Sequence, residues 1–268
     1  RGLGDVYKRQ SYTGGGSVSA GTLVFGVTAA RPTTGRTAVA AGATLALGVG
    51  GTSGSWVASN IDQLFFSGTG AGTLARVDMD PLANVGIDTT AGDFTYASSP
   101  GSQRGLVKLG PNTLTMAGSG TFTGGTRILA GRLVMAGATA LSSGSVAVAS
   151  GATLGVAPEV AATVGSLGLA SAGLVDLTTG QLTVTTGMTA AALLPRILEG
   201  RGDGTWTGTS GITSSAAAAA IVAGESRAVG WLDAGGGAFT VGFAAPGDTN
   251  LDDLVDVLDA ANFVAPGL

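Results

Sequence analysis

The acids near the end of the chain carry its clearest chemistry. Asp248, Asn250, Asp252, Asp256 and Asp259 stand at positions 1, 3, 5, 9 and 12 of one stretch. The carbonyl of Leu254 falls at position 7. Calcium is a hard cation that takes six to eight oxygen ligands, and a twelve-residue loop with this spacing supplies them. Val257, Ala261 and Val264 follow at i, i+4 and i+7, which predicts a short helix leaving the loop. Residues 246–268 hold five of the 17 acids and no basic residue, so the plainer reading is a solvated acidic tail.

Other constellations are weaker. Asp78 and Asp80 share a strand face, and paired carboxylates can serve hydrolysis of polysaccharides. They also read simply as a solvated pair before Pro81, since no basic or aromatic residue stands beside them in sequence. Arg201-Gly-Asp203 is an RGD tripeptide of the kind integrin-like receptors recognise, in a glycine-rich loop where such triplets arise by chance. Trp56, Trp206 and Trp231 could stack on sugars, but isolated tryptophans more often pack in a core or cap.

Composition removes several classes of function. Histidine and cysteine are both absent, which excludes the commonest general base, the thiol nucleophile and the usual zinc ligands. The net charge of −4 leaves no basic footprint for nucleic acid. The longest apolar run, 216–223, is far short of the ~18 residues a membrane span needs. The 48 glycines lack the three-residue period of collagen, and charged residues are only 11%. Many short strands joined by tight corners fit such a composition.

The elements that must position these groups are organised around residues 106–137. Thr113-Leu-Thr-Met116, Thr126-Arg-Ile128 and Arg132-Leu-Val-Met135 are short alternating runs separated by Gly, Pro and Asn. None can bury its apolar face alone, so similar neighbours must stack on it. Leucines at 114, 133, 154 and 174 recur at about 20 residues, and a second series joins Ile128, Val146, Val164 and Leu182. Residues 11–48 contain a partial second copy at an offset of about 110: Tyr12-Thr-Gly-Gly15 matches Phe122-Thr-Gly-Gly125, and Gly42-Ala-Thr-Leu45 matches Gly151-Ala-Thr-Leu154. Between the copies, 63–67, 73–79 and 93–96 read as strands, in further rungs or a lateral insertion. Later, 189–199 reads as a helix interrupted at Pro195, and 214–222 as a helix capped by Ser214 or Ser215. Strands at 228–232 and 238–243 follow, and 189–245 reads as the terminal cap a solenoid requires.

The central stretch resembles the autotransporter-associated β-strand repeat of large bacterial surface proteins. Lys108, Gly110, Thr113, Leu114, Thr115, Gly118, Phe122, Thr123, Gly124, Gly125, Thr126, Ile128, Gly131 and Leu133 carry the match. Residues 246–268 resemble one half of a type I dockerin, an EF-hand-like calcium segment, through Gly247, Asp248, Asn250, Asp252, Val255, Asp256 and Asp259. Asp253 stands where that family has glycine. The dockerin resemblance implies calcium and a cohesin-type partner; the repeat also leaves open an autotransporter passenger. Residues 1–10 look like a translated sequencing-adapter scar, and the chain reads as a fragment, since it does not begin with Met.

The expected fold is all-β: a right-handed parallel β-solenoid (β-helix) over 11–188, a small α/β cap over 189–245, and a partial EF-hand-like dockerin segment over 246–268. The expected role is a non-enzymatic structural or adhesive protein, secreted or on the bacterial cell surface, with calcium at Asp248, Asn250, Asp252, Leu254, Asp256 and Asp259. Its partner would be a cohesin-type protein or a cell-surface polysaccharide. The alternatives are an autotransporter passenger domain and a carbohydrate-active β-helix enzyme.

Overall fold

A computed structural model describes residues 15–66, 74–252, 254, 255 and 259. The chain winds as a parallel β-solenoid of about eight turns. The first coil carries β1 (Gly16–Val18) and β2 (Thr22–Phe25), the second β3 (Thr37–Val39) and β4 (Thr44–Gly48). Helix α1 (Ala58–Phe66) intervenes before the third coil, which holds β5 (Val77–Met79), β6 (Asn84–Asp88) and β7 (Phe94–Tyr96). Next come β8 (Gly105–Leu109) with β9 (Thr113–Met116), then β10 (Thr126–Ile128) with β11 (Arg132–Met135). Two coils of three strands follow: β12 (Ser145–Val148), β13 (Thr153–Val156) and β14 (Ala161–Val164), then β15 (Ser166–Leu169), β16 (Leu174–Asp176) and β17 (Gln181–Val184). The described chain closes with α2 (Ala190–Arg201), β18 (Gly211–Thr213), α3 (Ser215–Val222) and the hairpin β19 (Ala228–Gly235) and β20 (Ala238–Ala244).

Strands stack between coils, not along the chain. The orders are β1-β3-β5, β2-β4-β6-β8-β10-β12-β15, β7-β9-β11-β13-β16-β18 and β14-β17-β20-β19. Among the described residues every coil-to-coil ladder is parallel; the closing hairpin is antiparallel, β19 to β20 and β20 to β17. Alternation along each short strand sends every second side chain inward, where register lines it up with its equivalents. Leu114, Leu133, Leu154 and Val175 form one such inward column, and Met116, Met135 and Val156 another. All seven are buried.

The leucine series is thus real through 154 and then slips by one, because Leu174 pairs with Thr153 and Val175 takes the core position. The second series is not a column. Ile128 pairs with Val148, and Val164 and Leu182 lie in another sheet. Its interval of 18 is shorter than the 20-residue step that the ladders enforce here.

The two sequence copies occupy different places in the circuit. β1 and β2 correspond to β10 and β11, yet β2 and β10 share the seven-stranded sheet. The repeat therefore specifies a corner with its two flanking strands, and not a particular face. Gly131 shows what the corner demands: its φ is +64°, and a Cβ would lie 2.5 Å from the Gly110 oxygen of the coil below.

Residues 49–105 are both rungs and insertion. The stretch 63–67, read as a strand, belongs instead to α1 as far as Phe66. Ile61, Leu64 and Phe65 are its buried residues, at i, i+3 and i+4, a spacing that three adjacent apolar residues could not reveal. Of 73–79, residue 73 lies outside the described residues, and among 74–79 only Val77–Met79 is strand. Pro195 does not interrupt α2. Pro195 and Ala191 both face solvent, so water can serve the carbonyl that loses its donor. Ser214 does cap α3, accepting from the Ala217 amide at 2.9 Å.

Leu133→Ala should lower the unfolding free energy by about 2–5 kcal/mol, because the closed column cannot collapse around the gap. Leu129→Ala, at a side chain 44% exposed, should change it by about 0.5 kcal/mol or less. Urea titration of the two variants separates these outcomes, and equal losses would contradict the column.

Candidate functional site

The C-terminal loop begins as part of the body. Gln181 Nε2, on β17, donates to the Leu251 carbonyl at 2.7 Å. Leu251 takes a left-handed φ of +59° and is buried, its side chain lying against Gly230. Asp248 Oδ1 accepts from the Leu251 amide at 2.7 Å, and Asp259 Oδ1 accepts from the Thr249 amide at 2.6 Å. Both carboxylates are buried. The first and twelfth positions are thereby drawn to one turn.

Asp252 accepts from Asn250 Nδ2 at 2.8 Å and from the Leu254 amide at 3.0 Å. Asp253, Asp256 and the expected outgoing helix lie outside the described residues, as do residues 1–10. The donor chemistry, carboxylates with a carbonyl, suits a hard divalent cation. Among the described residues, no three acidic side chains gather as a metal-binding group.

Asp78 and Asp80 do line one groove of about 530 Å³ along β1, β3 and β5. Each is already engaged. Arg36 grips Asp78 through Nε and Nη2, and that bond holds the Asp78 carboxyl below its usual range. Asp80 Oδ1 accepts from the Leu82 amide at 2.8 Å. Arg201 ends α2, and Asp203 accepts from the Thr205 amide and hydroxyl, which closes the RGD segment into a local turn. Trp56 and Trp206 are buried; Trp231 remains 36% exposed.

Two buried charges have roles that sequence reasoning missed. Lys108 occupies an inward column whose other members are Phe25, Leu47, Ile87, Ile128, Val148 and Leu169. Its Nζ donates to the carbonyls of Leu109, Gly110 and Ala130 at 2.9, 2.7 and 3.0 Å. One ammonium thus ties two successive corners. Burial pushes it down to about 8, against the pull of Asp88 and Asp93. The signal in the sequence was a lysine inside a strongly apolar repeat.

Asp176 ends β16. It accepts from the Ser215 amide at 2.9 Å, holding the start of α3, and from Arg132 Nη2 at 2.9 Å. Arg132 reaches it across Gly155, where a Cβ would lie 2.7 Å from Nη2. Burial works to raise the Asp176 carboxyl, but the Ser215 and Thr178 amides and Arg132 outweigh it and leave it below its ordinary value.

Comparison with known families agrees with this placement of the repeat. The passenger-associated-transport-repeat family matches residues 10–25 and 106–135, the segments around β1–β2 and β8–β11. No curated protein and no solved structure matches the chain.

Both charges make stability rise with pH, in separate windows. An unfolded lysine keeps its proton to about pH 10.5, whereas Lys108 releases it near 8. Between pH 8 and 10 the unfolded state binds more protons, so stability contributed at this site rises with pH. Lys108→Met should remove that rise, measured by urea titration across the window. Above pH 10 Tyr96 acts the other way, because burial and Asp62 hold its proton in the fold. For Asp176 the contribution is present above the unfolded carboxylate value, near 4, and is lost as pH falls through its lower folded value. Asp176→Asn should cost about 1.5–3 kcal/mol at pH 7 and flatten that acid limb.

Proposed function

We propose that this chain is a passenger-type β-solenoid segment of a secreted or bacterial cell-surface protein, acting as a non-enzymatic stalk. The observation that carries the reading is the recurrence of one corner-and-strand repeat in stacked coils around a continuous buried core. A rod of this kind supplies length and stiffness and needs no catalytic centre. Elements 190–244 serve as its cap. Leu193, Ile197, Ile212 and Ala217 extend the buried core past the last full coil, which supports that role.

Beyond the cap, the loop at Asp248, Asn250, Asp252, Asp256 and Asp259, with the Leu254 carbonyl, would hold calcium. Its partner would be a cohesin-type protein or a cell-surface polysaccharide, with the solenoid as adhesive spacer. The anchoring of Asp248 and Asp259 to one turn supports this reading. Calcium that binds the folded loop alone stabilises it by mass action.

Two measurements test the proposal. The chain placed ahead of an outer-membrane barrel in a Gram-negative host should reach the surface and be cleaved by added protease on intact cells. Retention inside would oppose the passenger reading. In isothermal titration with calcium chloride, the chain should bind one ion and Asp248→Ala/Asp252→Ala should bind none. Absence of heat with the unaltered chain would remove calcium and leave the stalk.

A further inference from the structure

The outermost strand of the last sheet is an open edge. β19 has β20 as its single neighbour among the described residues. The backbone groups left open follow from alternation. The Phe243 amide donates to the Gly180 carbonyl, so Phe243, Val241 and Phe239 turn their N–H and C=O groups toward β17. The hydroxyls of Thr183 and Thr240 approach to 2.9 Å, as expected of a non-hydrogen-bonded pair between those positions. Ala244, Gly242 and Thr240 are left to bond Ala228, Gly230 and Leu232 on β19. Val229, Trp231 and Asp233 then point their backbone groups away from the sheet.

Natural edges are blunted by lysine, proline or bulges. β19 has neither lysine nor proline, and its register is regular until the shift between Asp233 and Gly235. Trp231 stands at this rim, its ring 5.8 Å from Phe239 and its outer side exposed. Leu251 lies over Gly230, whose position in the strand puts it on the opposite face, and so leaves the edge open.

We propose that β19 pairs antiparallel with β19 of a second copy of this chain, about a two-fold axis at Gly230. Charge selects that occupant and that register. Centred on Gly230, the pairing sets Arg227 opposite Asp233 of the other copy, and by symmetry does so twice. It also sets Val229 opposite Trp231, so outward-bonding residues meet outward-bonding residues. Arg227 now donates to the Ser226 carbonyl at 3.0 Å, contacts exposed Glu225 at 3.9 Å and lies 5.9 Å over the Phe243 ring, so its carboxylate partner is distant and exposed. The four-stranded sheet becomes eight-stranded, and Trp231 is covered. Because β19 lies beyond β14, β17 and β20 in the stacking order, the two solenoids join end to end.

Sedimentation velocity on the full chain tests this with Arg227→Asp and Asp233→Arg. The unaltered chain should show concentration-dependent dimer. Each single variant sets like charges opposite each other at both sites and should weaken self-association about tenfold. An equimolar mixture of the two should restore dimer, since every facing pair is again opposite, and so should the double variant R227D/D233R. An unaltered chain that stays monomeric, single variants that dimerise undiminished, or a mixture that fails to recover would each overturn the proposal.

Discussion

The structure depends on finding donors for carbonyls at its corners. Parallel ladders satisfy the groups within strands, but the chain turns between them, and carbonyls at the turn lose their ladder partners. Buried and half-buried side chains supply the donors. Lys108 serves the carbonyls of Gly110 and Ala130 in two coils, and also that of Leu109, which the Thr89 amide already reaches. Asn112 Nδ2 donates to the Thr89 carbonyl at 2.7 Å, Asn84 Nδ2 to that of Gly42 at 2.9 Å, and Trp56 Nε1 to that of Phe25 at 2.7 Å. Arg104, also buried, holds the carbonyls of Phe65 and Met79. An unmade bond of this kind costs about 1–3 kcal/mol. A coil that lacked its corner donors would therefore weaken its neighbours as well as itself.

That constraint explains why one sequence pattern serves on two sides of the solenoid. The corner is a local device: a glycine with positive φ, a polar donor, and two short strands. Nothing in it refers to the coil's third side. Before β7, the place later taken by the six-stranded sheet is filled by residues between β2 and β3 and by the α1 segment. Trp56 packs on Phe25 there, and Tyr96 of β7 reaches Asp62 of α1 at 2.6 Å. The helix thus forms a floor on which the new sheet begins.

Legibility in the sequence followed the same division between local and distant causes. The alternating runs at 113–116 and 132–135 and the Leu114–Leu133–Leu154 column could be read directly, because period-two burial is written in adjacent residues. The Ser214 cap was visible for the same reason. The helix at Ala58–Phe66 was not, since the apolar run Leu64-Phe-Phe66 has no period of its own and the face it buries is decided by tertiary packing. The passage of α2 through Pro195 depended on which side of the helix meets water. Lys108 could be matched to a repeat position, but its acceptors include a carbonyl 22 residues away. Asp176 depends on residues at 132 and 215 that no local pattern connects. At the C-terminal loop the spacing of oxygens was legible, whereas the tie from Gln181 that fixes its first turn was not.

The end of the solenoid shows what the parallel architecture leaves unsolved. Covering the last core layer needs apolar side chains, and α2, β18 and α3 bring Leu193, Ile212 and Ala217 to it. The strand edge is a separate problem, because hydrogen-bonding groups persist at the last strand whatever covers the core. Here the hairpin reverses direction, and β20 satisfies β17 in antiparallel register. Among the described residues the open edge is thereby moved to β19 and not removed. The turn of Asp248 and Leu251 is pinned beside it, through Gln181 and through Leu251 over Gly230. The open backbone edge and the acidic loop therefore belong to one end of one rigid sheet. Leu251 lies on a face of that sheet, so the loop is fixed beside the edge without covering it.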